Sequence, residues 1–516
     1  MKNRARYMLF TLIVSLFFIT SCFEDKGNYD YVDIKDAAVN IPEVTQNKGQ
    51  ISRDRYSVLE LNPEIVLNDG ASAAEFDFEW SLYSQHPLAD DEDHYAPKKI
   101  MGNEQTLKYT LVEAPDKYYV VLKVTHKVTK VCTDYRFKLD INSVIGWLIY
   151  DENAAGEGDF QIVRDAEIVP GLSVSQKGVV RNYFSASNSG KKLRDGKFLG
   201  RRNMNNAYDH LFLFKADGVV KMEAGSYEVL SEDYGTLFMK APKVNAPMAH
   251  YYPSPVYGAV EILVNDNEVH LVKWNTMGQK DQLAAPLASW GVPYKMSSFI
   301  APIPVVSGNT NRAVLYDIKS TKGQFFTIVN NGSTSSPKTP TGVFNTGAIN
   351  PDKTTKLQLK YMGQGRDGIT CAIFKDALAA EKPWLYVADL RTTTPLALAK
   401  HDLSGLENIN AANQFVFGTR GDVMFYAAGS SVYSYLFGST GVTTILSKAG
   451  EEIVSMKLYT HFANEDYSGR ILFVATYDGS QGRVYKIKFN ELNGQVEGEI
   501  ESFTGFGKVI DMIDKE

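Results

Sequence analysis

Alternation of apolar and polar residues at strand period runs through most of this chain. In Glu75-Phe-Asp-Phe-Glu-Trp-Ser-Leu-Tyr, the residues Phe76, Phe78, Trp80 and Leu82 recur at every second position. Period two puts them on one face of a strand and their polar neighbours on the other. Arg55-Tyr-Ser-Val-Leu-Glu-Leu, Lys117-Tyr-Tyr-Val-Val-Leu-Lys-Val-Thr and Asp134-Tyr-Arg-Phe-Lys-Leu-Asp-Ile repeat the pattern. A turn is expected from His126 to Val131. Short strands broken by turns predict a sandwich of about seven strands over residues 31–142, with Trp80 in its core.

From residue 143 the texture changes to recurring hairpins. Each is an apolar strand, a turn and a second strand rich in Tyr, Phe or Val. Trp147, Leu211, Ile262, Val314, Leu385, Met424 and Leu472 mark one hairpin each. From 147 to 472 is 325 positions in six steps, an average of about 54. Four-stranded blades with loops repeat at roughly 40–50 residues, so a degenerate β-propeller of seven blades is predicted over 143–516, with six or eight as the alternatives. Glu452-Ile-Val-Ser-Met-Lys, ahead of the last hairpin, is echoed by Lys508-Val-Ile-Asp-Met-Ile. The first hairpin, 145–164, has no inner strand before it. Pairing it with 508–513 would close a ring. The competing reading makes 508–513 the outer strand of the last blade.

The start of the chain is of another kind. Lys2, Arg4 and Arg6 precede an apolar run from Met8 to Phe18, then Ile19-Thr-Ser-Cys22. The run is too short to span a bilayer and reads as a lipoprotein signal peptide over 1–21, with Cys22 the lipidated residue. Several acyl chains such as palmitate, at ~0.8 kcal/mol per buried methylene, would anchor the protein firmly. Residues 22–30 then form a tether. No later segment is apolar enough to span a bilayer.

These features together resemble a known family. Cys22-Phe-Glu-Asp-Lys-Gly-Asn-Tyr-Asp-Tyr, a Trp-bearing strand, Leu107-Lys-Tyr-Thr-Leu, a turn at Pro115-Asp-Lys and then Tyr-x-Val-x-Leu-x-Val are similar to the PKD-like lipoproteins of Bacteroidota. The glycine-aspartate turn of ordinary PKD domains is absent. Ser84-Gln-His-Pro and an acidic loop from Ala89 to His94 replace it. Glu24-Asp25 resembles the surface-export signals of such lipoproteins. The resemblance implies an immunoglobulin-like sandwich and a lipid anchor in the outer membrane, facing the exterior. It also implies partnership with a SusCD-like importer of glycans or peptides.

Composition adds exclusions. With 54 Lys and Arg against 60 Asp and Glu, the net charge is −6, which argues against a nucleic-acid partner. The 29 Tyr and 27 Phe suit strands first and ligand-stacking surfaces second. Cys132 and Cys371 show no zinc spacing and read as small buried strand residues. Asp90, Asp91, Glu92 and Asp93 lack the alternating ligand pattern of a calcium loop and read as a solvated loop. The eight His are scattered singly. No nucleophile elbow, zinc helix, Walker loop or dinucleotide motif occurs, so no cofactor or metal is expected. Gly363-Gln-Gly-Arg-Asp-Gly has no Lys and no following helix, and reads as a loop between strands.

Candidate binding residues lie in three aromatic or polar segments. The first holds His250, Tyr251, Tyr252 and Tyr257; the second Trp290 and Tyr294; the third is Arg201-Arg202-Asn203-Met204-Asn205-Asn206, with Arg201 and Arg202 its foremost candidates. Aromatic rings stack on sugars or peptide side chains, while Arg supplies directional hydrogen bonds. The expected role is non-catalytic capture of a glycan or peptide. The alternatives are a surface enzyme that degrades the same ligands and a structural subunit of a transporter complex.

Overall fold

The computed structural model describes residues 37–67, 72–85, 98–172, 176–204, 208–252, 260–273, 281–287, 293–304, 306, 308–318, 324–329, 341–342, 357–376, 381–461 and 463–515. Cys22, the signal, the tether and the acidic loop 89–94 lie outside them. The chain is all-β and forms two compact units, 37–111 with 116–141, and 142–515 with 112–115. Among the described residues no helix is long and apolar enough to cross a membrane.

The first unit is a β-sandwich. Its main sheet runs Gln50–Asp54, Cys132–Asn142, Asp116–His126, Phe76–Ser84, Lys99–Gly102. Two small sheets complete it: Ala37–Asn40 with Glu64–Leu67, and Val58–Leu61 with Leu107–Thr110. Nine strands are thus described, against about seven expected. The expected strand from Arg55 begins only at Val58, because Tyr56 takes a left-handed turn at φ 64°. Phe76, Trp80 and Leu82 are buried on one face and Phe78 packs against them. Trp80 meets Leu59, Leu122 and Phe137 within one apolar core, and its indole donates to the Glu104 carbonyl at 2.9 Å. Cys132 corrects the expectation of burial. It opens its strand and is exposed, while Cys371, second in the strand Thr370–Asp376, is buried.

The second unit is a β-propeller. All seven predicted hairpins are antiparallel pairs. Among the described residues the strands fall into seven sheets in chain order. Central strands such as Asn311–Asp317, Val423–Ala428 and Gly158–Arg164 are buried along their whole length, since each sheet is covered on both faces by its neighbours. Aromatic contacts join the first sheet to the second through Tyr150, Phe160 and Tyr227. Phe212 and Phe214 of the second sheet share a core with Leu263 and Val272 of the third. Ile262 and Leu315 share the next core, Val314 and Phe374 the one after. Leu385 packs with Met424, and Phe425 with Phe489. Finally Phe473 of the seventh sheet stacks on Trp147 of the first, with centroids 4.4 Å apart.

The ring is closed by the chain's last strand. Lys508–Lys515 pairs antiparallel with Gly146–Glu152 as the inner strand of the first sheet. The outer strand of the seventh sheet is Glu501–Phe506. A polar latch reinforces this seam. The Lys486 ammonium, buried in the seventh sheet, meets Asp165, the residue after the strand Gly158–Arg164 of the first sheet, at 2.8 Å. Burial alone would push the Asp165 carboxyl up, but Lys177 and Lys486 outweigh it and hold it at about 2.

Candidate functional site

A cavity of about 350 Å³ opens where inner strands converge. In a propeller the first strand of each sheet lines the axis, so residues far apart in sequence meet there. The second sheet supplies Leu199, Gly200, Arg201 and Asn203 from Gly196–Met204. The third supplies His250, Tyr251 and Tyr252, and the fourth Pro302. The seventh supplies Lys457, Leu458 and Thr460. Met512, Ile513 and Asp514 of the closing strand, with Trp147, complete the wall.

Strand alternation separates the two arginines. Arg201 lines the cavity and is held by Asp209, with Nε to Oδ1 at 3.2 Å and Nη2 to Oδ2 at 3.1 Å. Arg202 turns the other way and is 0% exposed. It forks onto Glu261, Nε to Oε2 at 2.6 Å and Nη2 to Oε1 at 2.9 Å, and donates through Nη1 to the Asp281 carbonyl at 3.0 Å. His250 Nε2 lies 2.9 Å from the same Glu261 Oε1. Burial would raise the Glu261 carboxyl, but Arg202 and His250 outweigh it and hold it at about 2. Glu261 is therefore a fixed anion behind the wall, and it sets the position of the His250 ring. Gly200 makes room for that ring: a Cβ there would come within 2.6 Å of His250 Nδ1. Nearby, burial first, then Lys221 and Arg202, push His210 down to about 4.

On the opposite side, Lys457 Nζ lies 3.0 Å from Asp511 Oδ1, and Asp511 Oδ2 accepts the Leu199 amide at 2.8 Å. Asp511 thereby ties the first, second and seventh sheets together. Its charge holds the Lys457 ammonium above the ordinary lysine range. Burial pushes the Tyr251 and Tyr252 phenols up, so both stay neutral hydrogen-bonding groups. The wall combines neutral phenols and apolar surface from Leu199, Leu458 and Ile513 with the cations Arg201 and Lys457. Such a lining can stack and orient a ligand.

Residues 22–194 match the model of the PKD-like family. The match covers the PKD-like sandwich and continues past Ile141 through the strands Gly146–Glu152, Gly158–Arg164 and Gly178–Val180 of the first propeller sheet. None of the curated proteins matches the chain. Among solved structures, a quinonprotein alcohol dehydrogenase-like protein from Bacteroides thetaiotaomicron is similar at 9% identity, covering 94% of this chain and 100% of its own, with a TM-score of 0.43. A protein of unknown function from Bacteroides caccae covers 59% of this chain and 97% of its own at 11% identity, with a TM-score of 0.31. YCF48 from Cyanidioschyzon merolae covers 67% and 97% at 12% identity, with a TM-score of 0.33.

Of the eight residues singled out by sequence, Arg201, His250, Tyr251 and Tyr252 meet in the cavity wall. Arg202 lies behind it, out of reach of a ligand. Tyr294 packs between the third and fourth sheets, its hydroxyl donating to the Leu287 carbonyl at 3.0 Å. Tyr257 and Trp290 lie outside the described residues. Asn203, in the same polar segment as the two arginines, also lines the cavity; sequence reading missed Lys457, Thr460 and Asp514. The signal was present for Lys457 and Asp514: both sit in or beside the two segments read as inner strands, where a polar side chain has the axis to face.

Proposed function

We propose that this chain is a surface-displayed lipoprotein that captures a ligand, a glycan or peptide unit, in the axial cavity of its propeller. One observation carries the reading: inner strands that are remote in sequence bring Arg201, His250, Tyr251, Tyr252 and Lys457 to one cavity. Its volume is at the lower end of small-molecule sites, which run from about 300 to 1,000 Å³, and suits a single sugar ring or side chain. Lipidation at Cys22, an outer-membrane location and hand-over to a SusCD-like transporter belong to the same proposal. They are supported by the N-terminal pattern and the PKD-like match.

Calorimetry of the full chain against oligosaccharide and oligopeptide panels tests it. A ligand of the cavity loses at least tenfold in affinity in Tyr252→Ala and is recovered chemically unchanged. A ligand that Tyr252→Ala binds normally would place recognition elsewhere. One recovered cleaved would support the enzyme alternative instead.

A further inference from the structure

Two cations, Lys457 and Arg201, line the cavity against one carboxylate among the described residues. Lys457 and its partner Asp511 form an ion pair whose members are unequally placed: the Lys457 side chain is 46% exposed, that of Asp511 7%. Both Asp511 oxygens are occupied, one by Lys457 and one by the Leu199 amide. Among the described residues, Asp511 is the only carboxylate within ion-pair distance of Lys457. An ammonium has three donors and can meet a second acceptor without leaving the first. Arg201 also lines the cavity while its partner Asp209 does not, but there the cation is the more buried member, at 13% exposed against 24%. The one carboxylate in the described lining is Asp514, with His461 Nε2 3.9 Å from its Oδ2. Tyr252 and Ile513 offer surface for the body of a ligand.

We infer that Lys457 is the anchor for a carboxylate on the captured ligand, so that the cavity selects an acidic unit over its neutral counterpart. This rests on the capture reading and names the chemistry of its ligand. The carboxylate adds a charge-assisted hydrogen bond to an ammonium already fixed by Asp511, which lowers the ordering cost of that contact.

The test is calorimetry of the full chain with glucuronate against glucose, and with glutamate against glutamine. The two pairs separate a sugar acid from an amino-acid source. The acid of one pair should bind at least tenfold tighter than its neutral partner, and less tightly as NaCl is raised. Lys457→Met should abolish that preference and Lys457→Arg retain it. Should Lys457→Met misfold around the orphaned Asp511, Lys457→Met with Asp511→Asn removes both charges and keeps an oxygen for the Leu199 amide. Equal binding of the neutral partners, or an acid preference that survives in the methionine variants, overturns the inference and leaves capture standing. Failure of all four compounds to bind the wild-type chain overturns both.

Discussion

The sandwich and the propeller bury their residues in different ways. Every buried carboxylate among the described residues, from Asp151 to Asp511, belongs to the propeller, as do the buried Arg202, Lys486 and Lys515. Among the described residues of the sandwich the buried ionisable side chains are Arg55 and His126, and ion pairs such as Arg53–Glu43 and Lys98–Glu79 are about one-third exposed or more on average. The sandwich strands close around one apolar core, which is non-directional and tolerates small shifts. Propeller sheets must instead be set against neighbours from distant chain segments, and closure joins residues over 300 positions apart. A buried ion pair with filled hydrogen bonds fixes such an alignment, though burying it gives little net stability. Asp511 and the Asp165–Lys486 pair occupy the closing seam, and Arg202–Glu261 spans the second and third sheets. The polar groups that align the ring also shape the wall of the cavity.

The largest effect should come from opening the ring. Deleting 508–515 removes the inner strand from Gly146–Glu152 and strips Met512 from Trp147. Hydrogen exchange should then rise across the first and seventh sheets, while Phe76–Ser84 and Asp116–His126 keep their protection. Unchanged protection at 146–152 would show that the closing strand is dispensable.

Next comes the buried fork. Glu261→Gln removes the buried anion of the fork, leaves Arg202 only the partly exposed Asp281 carboxylate at 3.3 Å, and should cost about 3–5 kcal/mol in urea unfolding. A cost under about 1 kcal/mol, typical of an exposed pair, would erase the distinction between the two regions.

Acid should sharpen the same contrast more gently. Glu261 and Asp165 have folded pKa values of about 2, below their ordinary 4.5 and 3.8. Their stabilisation is complete above those ordinary values and is lost as pH falls towards 2, on the order of 2–3 kcal/mol each. His210, held at about 4 against an ordinary 6.5, acts in the same direction and is lost earlier, as pH falls from 6.5 through 4. Exchange followed from pH 7 to pH 3 should show the propeller opening before the sandwich, and Asp165→Asn should flatten its share of the slope. A sandwich that opens first would contradict this account.

Much of the architecture was legible along the chain. Period-two alternation around Trp80 identified a sandwich strand and its inward face, because strand geometry sends successive side chains to opposite sides. The hairpins marked by Trp147, Leu211 and Met424 were legible for the same reason, each being a local unit with its own turn. Even closure could be read, since 452–457 and 508–513 share one apolar spacing. Only the tertiary structure decided which residues form the site. Arg201 and Arg202 are neighbours with the same side chain, yet one faces the cavity and the other lies buried beneath the wall. That choice depends on which side of Gly196–Met204 meets the third sheet. Lys457 became a cavity residue only when Asp511, 54 positions further on, returned beside it in the closing strand. Local periodicity carries the alternation of a strand; the direction of its faces, and the partner of each buried charge, are set by packing between segments that sequence order leaves far apart.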